Sequence, residues 1–118
     1  ADIKNIAWDR NYDLVVSVAM LFHLPSKEAI ALIENIQKHT SIGGLNAIST
    51  FTQNSDFYRN EPDADEYYPE TEELKKLYLD WEILEYEEIE VKAGDKRPGK
   101  GGAPVTNTAA TILARKLK

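Results

Sequence analysis

The run Tyr12-Asp13-Leu14-Val15-Val16-Ser17 sets the terms for any fold this chain can adopt. Its apolar residues are consecutive, include β-branched valines, and do not recur at 3.6-residue spacing. That is the pattern of a strand covered on both faces, the usual state in a parallel sheet. A parallel neighbour demands a crossover, commonly a helix. The next segment supplies one. Pro25-Ser26 punctuates the chain, Ser26 suits an N-cap, and Lys27-Glu28 open the first turn. Ala29, Ile30, Ile33 and Ile36 then recur at helical spacing, with Glu34, Gln37 and Lys38 assigned to the wet side. The helix is expected to stop near Thr40, with Gly43-Gly44 as a flexible turn and a second strand from Leu45 to about Thr52. Strand, helix and strand make a βαβ unit, with a parallel pair and a right-handed crossover.

The remainder changes character. Residues 53–69 form a long polar loop, a length associated with function or mobility. Glu70 to Leu79 reads as a short amphipathic helix with Leu74, Leu77 and Tyr78 on its apolar face. Ile83 to Val91 alternates imperfectly, as an edge strand would. A Gly/Lys/Pro-rich turn over 92–104 leads to a last strand at Thr108–Ala114, and the two strands are expected to pair as an antiparallel hairpin. The fold class is α/β: a parallel βαβ unit, a helix, and an antiparallel terminal hairpin. A chain of 118 residues fits one domain.

A formal charge of −6 disfavours nucleic acid, whose phosphates need a basic surface. The absence of cysteine excludes disulfides and thiolate metal sites. No apolar run approaches the roughly 20 residues of a membrane span, and no signal peptide opens the chain, so a cytoplasmic setting without membrane contact is expected. The start at Ala1-Asp2-Ile3, without Met, reads as a processed product or an excised piece.

Particular residues narrow the class. Asn11 to Ser17, followed by Met20-Leu21-Phe22-His23-Leu24-Pro25, resembles the fourth strand and following segment of class I S-adenosylmethionine-dependent methyltransferases. Ser41-Ile42-Gly43-Gly44 and the strand after it resemble the entry to their fifth strand, with Ile42 where Pro is commoner. The likeness is greatest to the TehB-type tellurite-resistance methyltransferases. It is carried by Asp2-Ile3-Lys4-Asn5-Ile6, Asp9 to Asp13, Asn35 to Thr40 with Gly43-Gly44-Leu45-Asn46, Asp80-Trp81-Glu82, and Ala110 to Lys116. The resemblance implies a Rossmann-like half-sheet holding the fourth to seventh strands in the order fourth, fifth, seventh, sixth. It makes residues 1–118 the C-terminal half of one methyltransferase domain, because no G-x-G-x-x-G occurs and Gly99 to Gly102 precede a strand, not a helix. It also implies S-adenosyl-L-methionine as cofactor and a small-molecule acceptor, with a tellurite or selenite oxyanion the leading candidate. The family's His-Arg pair before the last turn is missing, since Glu90-Val91-Lys92-Ala93 stands there.

By the same resemblance Asp2 would accept a hydrogen bond from the adenine amino group, and Ile3 would offer its backbone N–H to the ring. Ser17 and Val18, ending the first strand, would line the cofactor cleft, since ligands of open α/β sheets bind outside the carboxyl ends of strands. The plainer alternatives are a solvated acid for Asp2 and a Ser bonded to backbone for Ser17. His23 and His39 read as structural, the latter favoured in a last helical turn. Lys92, Lys96, Arg97 and Lys100 make a basic turn suited to shielding an edge or holding an anion. Asp56, Glu61, Asp63, Asp65 and Glu66 lack a calcium-loop pattern, so no metal site is expected. No catalytic residue is assigned.

Two rival readings are a non-catalytic α/β module, packed on a partner or a second copy, and half of a nucleotide-binding dehydrogenase. Under the methyltransferase reading, the strand at Tyr12–Ser17 would normally lie beside a first strand outside this sequence. Its exposed edge is then expected to associate with the missing half or with another copy.

Overall fold

The structure, a computed structural model, describes residues 10–18, 24–60, 66–97 and 99–118. Its elements are β1 (Tyr12–Val18), α1 (Ser26–Lys38), β2 (Thr40–Phe51), α2 (Asp56–Asn60), α3 (Glu73–Leu77), β3 (Glu82–Asp95) and β4 (Ala103–Arg115). They form a four-stranded sheet in the order β1-β2-β4-β3. β1 and β2 are parallel, while β4 runs antiparallel to both β2 and β3. The α/β class, the parallel unit, the terminal hairpin and the order inferred from the resemblance all appear.

Packing on the sheet is one-sided in depth. Register puts Val15 and Ser17 on the same face as Asn46, Ile48, Thr50, Ala110, Ile112 and Ala114, and all of these are buried. α1 covers that face with Ala29 and Ile33, and the α3 region covers it with Leu74, Tyr78 and Tyr67. On the opposite face Leu14 is 45% and Val18 65% exposed, and their strand partners Leu45 and Ser49 are half-buried. Ile83 and Tyr86 pack against the core side from β3. Their odd spacing is explained by a register shift between Ile83 and Glu85, which breaks the period-two pattern in the sequence.

Several local expectations are corrected. Ser26 is the first helical residue; Pro25 holds the N-cap position at φ −56 and ψ 147, with no side-chain cap. Proline's fixed φ suits that entry, and its carbonyl accepts the Ala29 N–H at 2.9 Å. Gln37 does not face water freely: its Nε2 donates to the Leu77 carbonyl at 2.7 Å, supplying a donor at the end of α3. The loop over 53–69 contains α2, and Tyr67 and Tyr68 within it are buried. The terminal strands are longer than expected and pair as far as Asp95 with Ala103.

The glycine pair is used inside β2, not as a turn before it. Tyr12 lies opposite Thr40 but Leu14 lies opposite Leu45, so β2 bulges between these pairs. Gly43 takes φ +85, a left-handed conformation natural only to glycine. Gly44 is needed for space, because a Cβ there would lie 2.8 Å from the Ser41 carbonyl oxygen and 3.0 Å from that of Asp13. A bulge kinks a strand without ending it, and from sequence it is indistinguishable from a turn.

Beyond the end of β2, where Phe51 pairs with Ala109, β4 overhangs its neighbour. Backbone and side-chain groups of residues 52–56 bond the overhanging part of β4 instead. Thr52 N–H donates to the Thr108 carbonyl at 2.8 Å. Ser55 Oγ accepts the Thr108 N–H at 2.9 Å, and Asp56 Oδ2 accepts the Thr106 N–H at 2.7 Å. In return, Asn107 Oδ1 accepts the Phe57 N–H at 3.1 Å. α2 is thereby clipped to the hairpin, although its sequence alone would not hold five residues in a helix.

Two outcomes are expected. Gly44→Ala forces backbone to move and should cost about 1–3 kcal/mol, read as a lower urea midpoint at unchanged m-value. The Thr106 amide, and next the Arg59 guanidinium, hold the Asp56 carboxyl below its ordinary value of 3.8. A depressed folded-state pKa stabilises above the unfolded value and is lost as pH falls through the folded one. The Thr106 amide resonance should therefore shift with a midpoint below pH 3.8, and Asp56→Asn should abolish that transition. A midpoint at or above the ordinary value would remove the carboxylate from this contact.

Candidate functional site at the carboxyl ends of the parallel strands

β1 and β2 run the same way and end on the same side of the sheet, with Ser17 opposite Ile48 and Val18 opposite Ser49. Successive residues of a strand face opposite sides, so Ser17 and Val18 part company. Val18 stands on the open face and is 65% exposed. Ser17 turns to the helix-covered face and is 1% exposed. Among the described residues its Oγ has no hydrogen-bond partner, so no backbone bond of the kind expected for a buried serine is found there. Thr50, likewise 1% exposed, shares this condition: its Oγ1 is buried without a partner. Sequence reading passed over Thr50. Its signal was its register on β2, two residues past Ile48, which the bulge at Gly43-Gly44 had hidden.

Asp2, Ile3 and His23 lie outside the described residues. His39 follows α1 as its C-cap, with Nδ1 3.0 Å from the Asn35 carbonyl oxygen, which agrees with a structural role. The basic turn is partly committed to structure. Arg97 bonds Asp95 through Nη2 at 2.8 Å and lies 3.9 Å from the Phe57 ring centroid. The Arg97 guanidinium, ahead of every other influence, holds the buried Asp95 carboxyl below its usual range. Phe57 meets Phe51 edge to face at 5.5 Å, so hairpin, α2 and the end of β2 form one wall. On the other face, Tyr67 donates a short hydrogen bond to Glu73; burial first, and then that carboxylate, push its phenol well above its ordinary pKa. Among the described residues no group of three or more His, Asp or Glu side chains is placed to hold a metal ion.

The described strand ends therefore offer hydroxyl and apolar groups: Ser17, Thr50, Val18 and Phe51. Such groups bind and orient a ligand and exclude water; proton transfer would require a titratable side chain among them. No helix among the described residues is long and apolar enough to cross a membrane.

Comparison with known proteins follows this geometry closely. The probable S-adenosyl-L-methionine-dependent methyltransferase TehB of Haemophilus influenzae strain 10810 is 33% identical over 116 residues, which is 98% of this chain and 39% of that protein. The crystal structure of TehB from Haemophilus influenzae superposes with a TM-score of 0.71 at 31% identity, again over 98% of this chain and 39% of the other. The N-methyltransferase NodS of Bradyrhizobium japonicum, in complex with S-adenosyl-L-homocysteine, shares the fold at a TM-score of 0.59 and 13% identity, over 100% of this chain and 53% of its own. The chain thus spans about two fifths of the length of the TehB relatives it matches. Residues 1–103 match the family named for the tellurite resistance protein TehB, and the chain belongs to that family.

Proposed function

We propose that this chain is the C-terminal half of a methyltransferase domain whose glycine-rich half lies in polypeptide outside these 118 residues. The whole domain moves the methyl group of S-adenosyl-L-methionine to a small acceptor, with a tellurite or selenite oxyanion as the leading candidate. The observation that carries this reading is the strand order β1-β2-β4-β3 in a chain that superposes on a TehB methyltransferase over 98% of its length. The cofactor supplies an activated methyl on a sulfonium. The chain's own part is to hold ligands in line and dry, which needs no triad or paired carboxylates.

The residues available fit that task. Val18 offers apolar surface at the carboxyl end of β1, and Ser17 carries a buried hydroxyl that no group among the described residues satisfies. Asp2 and Ile3 complete the proposed cofactor set by resemblance, with Asp2 toward the adenine amino group. A second reading, a non-catalytic module packed on a partner or a second copy, draws support from the exposed Leu14 and Val18 side chains on one face of the sheet. Either the missing half or another copy would cover that surface.

Three measurements bear on this. The 118-residue chain alone should bind S-adenosylmethionine no better than on the order of millimolar, because the backbone that would approach the cofactor's amino-acid end is lacking; calorimetry giving micromolar affinity would overturn the half-domain reading. In a longer protein containing the upstream half, Asp2→Ala should raise the cofactor KM more than it lowers kcat. One lost hydrogen bond removes about 0.5–1.5 kcal/mol of uniform binding, and an unchanged KM would take Asp2 out of the site. Sedimentation of the isolated chain at micromolar concentration should show self-association, and a clean monomer would count against association through the β1 side.

A further inference from the structure

Two buried hydroxyls without partners are unusual, since the large majority of buried polar side-chain atoms are hydrogen-bonded to protein or to ordered water. In this chain they occupy equivalent places. Ser17 is the penultimate residue of β1, and Thr50 is the penultimate residue of β2. The strands are parallel neighbours, and Ser17 lies opposite Ile48, so Thr50 stands one pleat further along the same face. Diagonal neighbours of paired strands lie on the order of 7–8 Å apart in the antiparallel case, with somewhat less between β-carbons. Two C–O bonds and two hydrogen bonds of about 2.8 Å span about 8 Å, so one oxygen atom can reach both hydroxyls. Among the described residues neither Oγ has a hydrogen-bond partner.

We infer that Ser17 and Thr50 together form a two-point site for a single neutral oxygen on the helix-covered face, at the carboxyl ends of β1 and β2. Neutrality follows from the surroundings. The register neighbours on this face are Ile48, Ala110 and Ile112, none of which could compensate a buried charge. A hydroxyl both donates and accepts, so two of them accommodate a water molecule or a hydroxyl oxygen of a bound small molecule equally well. The first source makes the site a hydrated joint between the two strands. The second rests on the methyltransferase reading above and makes Thr50 a ligand-binding residue beside Ser17.

A double-mutant cycle separates these sources. Ser17→Ala, Thr50→Val and the double variant are compared by chemical denaturation of the 118-residue chain. Thr50→Ser, which keeps the hydroxyl, serves as the conservative control. If water bridges the pair, each single substitution lowers the folding constant, roughly fivefold or more, and the double variant falls no further than the worse single one. Thr50→Ser then retains the coupling with Ser17. If the oxygen belongs to a ligand, the unliganded cycle is additive and Thr50→Val is neutral or stabilising. In that case, in the longer protein, S-adenosylhomocysteine affinity falls several-fold for either single variant and no further for the double. Additive behaviour without ligand, together with equal S-adenosylhomocysteine binding by wild type and variants, would overturn the site while leaving the methyltransferase reading intact. Additive behaviour without ligand, together with a longer wild-type protein that binds no S-adenosylhomocysteine at all, would remove both.

Discussion

The fold hangs on a buried polar knot where α1 ends and β2 begins. Thr40 Oγ1 lies 2.7 Å from the Ile36 carbonyl oxygen and 2.8 Å from Asn46 Oδ1, sharing one proton between them. Asn46 Nδ2 donates to Tyr78 Oη at 2.9 Å. Lys116 Nζ, from the chain's end, donates to the carbonyls of Gln37 and Thr40 at 2.8 and 2.9 Å. Helix termini leave carbonyls unsatisfied, and a cation at a helix C-terminus also meets the favourable end of the dipole. One cluster thus ties α1, β2, the α3 region and the tail of β4 together. Thr40, Asn46 and Tyr78 are all buried, so losing any one would strand the others, and a half-satisfied buried network costs more than none. Burial pushes the Tyr78 phenol above its ordinary pKa despite the opposing bond from Asn46, keeping it neutral in its role as acceptor.

That knot explains why the register of the parallel pair is definite although one face of the sheet is only half covered. Parallel pairing is slightly weaker per residue than antiparallel pairing and depends on the crossover helix for its placement. Here α1 is fixed at its end by three elements, and Tyr12 N–H donates to the His39 carbonyl at 2.8 Å just outside the helix. β4 continues the arrangement past the bulge: Gly43 N–H bonds the Lys116 carbonyl and Lys116 N–H bonds the Gly44 carbonyl. The bulge therefore disturbs β2 locally without releasing it from β4.

What could be read from sequence and what could not divide along physical lines. The first strand announces itself as a consecutive apolar run, the helix as a stripe of Ala29, Ile33 and Ile36 at helical spacing, and β3 as an imperfect alternation. The place of Ser17 and Val18 at the carboxyl end of β1 was legible in the sequence, but their opposite orientations were not. Gly43-Gly44 misled because local chemistry is the same for a turn and a bulge; only the long-range pairing with β1 distinguishes them. The clip at Ser55-Asp56 was invisible for a related reason. A polar loop residue such as Asp56 gives no local sign that it will meet the backbone of Thr106, fifty positions away.

The distribution of charge around the sheet gives the half-domain reading its last physical support. β3, the far edge, carries Glu82, Glu85, Glu87, Glu88 and Glu90, the kind of charged edge that resists pairing with another chain. β1, at the other end of the described sheet, has only Asp13 in its seven residues and presents Leu14 and Val18 on the face that α1 and α3 leave uncovered. Under the half-domain reading the β1 side of the described sheet would continue into more protein. Under that reading the carboxyl end of β1 lies inside the complete domain, where Val18 would be sheltered and a neutral oxygen held by Ser17 and Thr50 would be shielded from bulk water.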